Sequence, residues 1–168
     1  MTQYPAIPDE LKAQLNRITP SHDRGITYFP CAVTLDDGRE LERVYVVEHE
    51  PYIRIWGVTP EQDSGKKSIS IERVVAIRES AFRLPPKLAT TLYAAGESGM
   101  GYCIFTVKFS DGSRQAYVTG NAVDFITPPS GLTASAAKKV YPHKGREASL
   151  QQGPDYYLCL YQGADDAT

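Results

Sequence analysis

Cysteine is scarce in this 168-residue chain: Cys31, Cys103 and Cys159, an odd number with no CxxC spacing. A disulfide framework is disfavoured, and the paired ligands of a zinc site are missing. The thiols suit a reducing compartment, where a free cysteine behaves as a small buried hydrophobe. Charge of one sign is lacking as well: 18 Lys and Arg stand against 20 Asp and Glu, a net of -2. A dedicated nucleic-acid binder carries a basic excess, so nucleic acid ranks low as a partner and would need a local patch. No run approaches 18 apolar residues, which argues against a membrane-spanning helix. Met1 to Ile18 shows no basic flank followed by an apolar core, so no secretory signal is expected, and the cytoplasm is the expected location. HxH, HExxH and DxDxDG spacings are absent, so neither metal nor cofactor is expected.

What is present is ordinary for a globular chain, with 42% hydrophobic and 23% charged residues. A single domain over residues 1–168 is expected, with a helical arm over 1–24 and a frayed tail over 163–168. Tyrosine stands out, with 11 Tyr against 5 Phe and 1 Trp. Its apolar body and polar tip suit half-buried strands and also protein interfaces.

Pro8-Asp9-Glu10 opens a short helix whose Leu11, Leu15 and Ile18 recur at helical spacing. Cys31, Val33 and Leu35 alternate with Ala32 and Thr34, Asp36-Asp37-Gly38 supplies a turn, and a return strand follows from Arg39 to Glu48. Tyr52 to Trp56 alternates and reads as a third strand. Thr59 to Ser68 is a polar loop, and Ile69–Ile71 and Val74–Ile77 have strand character. Pro85-Pro86 introduces a helix carrying Leu88, Ala89, Leu92, Tyr93 and Ala95, with Gly96 at its C-terminal cap. A second hairpin spans Tyr102 to Val118 around Asp111-Gly112, with Phe105, Val107 and Phe109 facing the core. Thr133 is expected to cap a helix carrying Ala136, Ala137 and Val140. Tyr156 to Tyr161 is a terminal strand too apolar to lie at a solvent edge. These elements predict an α+β fold: a mostly antiparallel, curved or partly closed sheet built from two Asp-Gly hairpins, with two or three short helices. Val33-x-Leu35-x-Asp37-Gly38 matches Val107-x-Phe109-x-Asp111-Gly112 in register. Either the chain is internally duplicated, or any one-sided Asp-Gly hairpin has this pattern.

The candidate site residues fall in three segments. Glu97, Ser98, Gly99 and Met100 lie in a glycine-rich loop, Gly96 to Gly101, whose backbone N–H groups could cradle an anion. The order helix–loop–strand, and GxxGxG rather than GxGxxG, argue against a nucleotide fingerprint. Met100 stands where a nucleophile elbow needs its last glycine, so Ser98 is not read as catalytic. Asn121 and Asp124 follow the second hairpin and either line a pocket or make a turn. His143, Lys144 and Arg146 close a basic cluster with Lys138 and Lys139, against one acid, Glu147, in residues 131–147. With no complete catalytic constellation, the chain reads as a non-enzymatic intracellular protein that engages another protein. A small enzyme or ligand-binding domain with its site at 96–101, and nucleic-acid contact through 138–146, are the alternatives.

Overall fold

Two Asp-Gly turns organise the chain, each with its glycine in the left-handed region, φ 88° at Gly38 and 86° at Gly112. The computed structural model describes residues 4–143 and 150–163. In chain order the elements are α1 (Asp9–Leu15), β1 (Ser21–Asp23), β2 (Ile26–Leu35), β3 (Glu40–Glu48), α2 (His49–Trp56), β4 (Lys67–Ser68) and β5 (Val74–Arg78). They continue with α3 (Pro86–Ala95), β6 (Cys103–Phe109), β7 (Arg114–Thr119), β8 (Ala137–Pro142), β9 (Leu150–Gln152) and β10 (Tyr157–Tyr161). The fold is α+β and mostly antiparallel, and neither of its two sheets closes on itself. Among the described residues no helix is long and apolar enough to cross a membrane.

The elements gather into two compact units, Met1–Ser80 with Tyr156–Thr168, and Ala81–Asp155. In the first, the order along the sheet is β1-β2-β3-β10-β4, and β5 also pairs with β2. The apolar strand β10 lies parallel to both β3 and β4, inside the sheet as its composition requires. Leu11, Leu15, Val33, Leu35, Val44, Val46, Ile77 and Cys159 form the core. In the second unit the order is β8-β6-β7-β9. Phe105, Val107, Phe109 and Tyr117 turn inward against Leu84, Ala89 and Leu92. Each aromatic buried here is worth about 1.5–3 kcal/mol of transfer free energy. Gly163 is buried, and the rest of the expected frayed tail lies outside the described residues.

Three segments depart from their local pattern; the strand expected over Ile69–Ile71 gives way to a 3-10 turn, Ile71–Arg73, with β4 ending before it at Ser68. Tyr52 to Trp56 is not a strand but most of α2. Five alternating residues do not decide between the two periods; Gly57 does, with φ 76° and its N–H on the Ile53 carbonyl at 2.7 Å. Glu50 and Arg54, four residues apart, form an ion pair along that helix. The expected helix after Thr133 is a single 3-10 turn, Ala134–Ala136, followed by strand β8. Pairing with β6 overrides the helix preference of the alanines, and Ala137 fills a core position.

The two units repeat one plan. Leu35 N donates to Arg39 O at 2.8 Å, and Phe109 N to Ser113 O at 2.9 Å. Asp36 N donates to Arg73 O, and Ser110 N to Ala136 O. In each unit a 3-10 turn leads into a third strand antiparallel to the first hairpin strand. Both pairings shift register at the same place, between Thr34 and Leu35 and between Lys108 and Phe109. A helix packs on that third strand, α1 on β5 and α3 on β8. A parallel strand completes the other side of each hairpin, β10 on β3 and β9 on β7. The correspondence thus runs well beyond what an Asp-Gly turn alone imposes.

Candidate functional site

Three of the segments singled out in the sequence meet at the start of β6. Helix α3 stops at Gly96, whose φ of 79° turns the chain away while its N–H caps the Leu92 and Tyr93 carbonyls. The loop that follows is braced by its own side chains. Ser98 Oγ accepts from Ile104 N at 2.7 Å and donates to Ile104 O at 3.3 Å. The Glu97 carboxylate accepts from Gly101 N at 3.1 Å. Ser98 N reaches Tyr102 O at 2.9 Å, and the Tyr102 ring lies so close to Gly99 that a Cβ there would overlap it. Met100 stands at the tip, 96% exposed.

On one side of β6, Cys103 pairs with Thr119, so Gly120 comes to lie beside the Gly101 carbonyl and Asn121 follows directly. On the other side, His143 N donates to Ile104 O at 2.9 Å and its Nε2 lies 2.8 Å from Thr106 Oγ1. The Ile104 peptide is therefore held by Ser98 and His143 together. Ser98 Oγ is engaged with the Ile104 backbone, and the His143 ring with the Thr106 hydroxyl.

Asp124 goes elsewhere. It is fully buried and accepts from Tyr93 Oη at 2.5 Å, so its carboxylate joins the inner packing of α3 and not the loop surface. Asn121 Oδ1 is buried with no hydrogen-bond partner among the described residues. Lys144 and Arg146 lie outside the described residues. All three cysteines are buried and none is joined in a disulfide, and burial pushes the Cys159 thiol up to about 12. Among the described residues no group of three or more His, Cys, Asp or Glu is placed to hold a metal.

The tyrosines are mostly internal: six are buried, and Tyr141 alone is exposed. One of them meets Trp56, whose Nε1 donates to Tyr28 Oη at 3.1 Å with the Arg24 guanidinium 5.3 Å over its ring. Desolvation is the main cause of the rise of the Tyr28 phenol to about 12. Two features had no local signal. One is a cavity of about 220 Å³ in the first unit, between Tyr4, Glu61, Ser68, Ser70, Glu72 and Leu160. Tyr4 Oη donates to Glu61 there at 2.9 Å, and burial first, then that carboxylate, hold the phenol well above its ordinary range. The other is the meeting of Lys108 and Arg114 with Lys139, which only strand register creates.

No protein-family model, no curated protein and no solved structure matches this chain.

Proposed function

We propose that this chain is a non-enzymatic binding protein that engages another protein through the loop at 96–101. The observation that carries the reading is Met100, 96% exposed at the tip of a loop whose flanks are fixed by Ser98, Glu97 and Tyr102. An apolar side chain held out on a rigid support costs little conformational entropy to bury against a partner. Methionine adapts its shape to the pocket it enters. The tyrosines support the reading less than their number suggests, since most serve the two cores. Three buried thiols not joined in disulfides favour a reducing compartment, and the cytoplasm is the location we assign.

The test is a pull-down of the tagged full chain from nuclease-treated native lysate, comparing the wild type with Met100→Glu and Val75→Glu. Val75 is 54% exposed in the other unit and serves as the control. A stoichiometric protein retained by the wild type and by Val75→Glu, and lost by Met100→Glu, is the expected result. Capture that ignores the charge at Met100, or no captured protein at all, removes the proposal.

A further inference from the structure

The register of the second unit assembles cations that lie far apart in the sequence. Lys139 on β8 pairs with Lys108 on β6, and Lys108 pairs with Arg114 on β7. Directly paired residues share a face, and neighbouring strands run about 4.8 Å apart. The three cations therefore form one row across the sheet. The inward face carries Phe105, Val107 and Phe109, so this row is on the outer one; Lys139 and Arg114 are exposed and Lys108 half-exposed. The next row is Tyr141, Thr106 and Ala116. Tyr141 is exposed, with the Arg114 guanidinium 5.2 Å over its ring. Among the described residues no ion pair joins Lys108, Lys139 or Arg114 to an acid.

Like charges set side by side on a sheet destabilise it, and the repeated plan shows that the frame does not call for them. In the first unit the equivalent row is Ala76, Thr34 and Glu40. The position of Tyr141 is taken there by Arg78, which is neutralised by Glu40 at 3.5 Å and Glu42 at 3.0 Å. One backbone frame thus carries a charge-balanced face in one unit and an unbalanced basic one in the other.

We infer that the outer face of β8-β6-β7 binds single-stranded nucleic acid, with phosphates along Lys139, Lys108 and Arg114 and a base stacked at Tyr141. The cations alone would suit any polyanion; the exposed ring beside them favours one that carries planar bases. Every base offers a π-face, so the contact is tolerant of sequence. The chain's net charge of -2 confines the attraction to this patch.

Fluorescence anisotropy of labelled oligouridylate and oligothymidylate with the full chain tests this. Three phosphate contacts give a salt slope near -2 on logarithmic axes, so about a threefold rise in salt weakens binding roughly tenfold. Lys108→Gln with Lys139→Gln and Arg114→Gln should abolish binding and flatten that slope. Tyr141→Leu, which keeps the apolar body and loses the ring, should weaken binding at least about fivefold. Arg78→Gln, at the equivalent place in the first unit, should bind as the wild type does. No binding at low salt overturns the inference. Polyglutamate competing as well as oligouridylate, with Tyr141→Leu unchanged, would reassign the face to acidic protein segments. Variants that keep the wild-type circular dichroism and bind unchanged would remove the face altogether.

Discussion

The Tyr102 ring occupies the space that a side chain at Gly99 would need. Gly99 does not adopt a left-handed φ, so sterics alone, and not backbone strain, demand glycine there. Gly99→Ala should therefore destabilise the fold by about 1–3 kcal/mol, the usual cost of overpacking. Tyr102→Ala in the same chain should recover part of that loss, because it removes the obstacle. Urea denaturation of the two single variants and the double variant gives the coupling directly. Additive losses would show that the ring is not what Gly99 accommodates.

Tyr93→Phe takes away the phenol that donates to the buried Asp124 carboxylate. Removing a donor from a buried carboxylate should cost about 1–3 kcal/mol or more. Asn121→Ala should cost less, since Asn121 Oδ1 has no hydrogen-bond partner among the described residues. Chemical denaturation of both variants checks the order, and the reverse order would contradict the structural role given to Asp124.

The two hairpin turns carry matching acids. The backbone N–H of Arg39, and its side chain, hold Asp37 below the ordinary aspartate range. The Ser113 hydroxyl, then its backbone N–H, do the same for Asp111. A carboxyl depressed by folding adds stability above its unfolded pKa, about 3.9, and that contribution disappears as pH falls through the folded value. Carbon-detected NMR titration should show both carboxyls titrating low. Asp37→Asn and Asp111→Asn should each make stability less dependent on pH below about 4.

Cys159 is buried between strands in the first unit, and its thiol is held neutral well above physiological pH. Since the thiolate is the reactive form, an alkylating reagent should leave Cys159 unmodified in the native chain at neutral pH and modify it in urea. Mass spectrometry of the peptides reads this. Rapid native labelling at Cys159 would mean that β10 opens locally.

Both hairpins were legible because Asp-Gly turns and period-two alternation are local signals, and the register follows from them. The strand reading of Tyr52–Trp56 failed because its five residues fit either period, while Glu50, the helical partner of Arg54, and Gly57 lie beyond its edges. Ala134–Val140 failed for the opposite reason. Local preference is helical there, but Phe109 and Val107 offer Ala137 and Val140 a place in the sheet. The loop at 96–101 and His143 were visible as residue types, whereas their meeting at the Ile104 peptide is a matter of tertiary pairing. Lys108 and Arg114 sit unremarked in an amphipathic hairpin until Lys139 is placed beside them.

The position of β10 also bears on how the chain is made. Val44 and Lys67 leave the ribosome well before Tyr157, the residue that separates them in the sheet. Residues 81–155 are complete by then and hold every strand of their own sheet. The unit translated second can thus finish first, while the earlier one waits with the β3 edge uncovered until the last strand is synthesised.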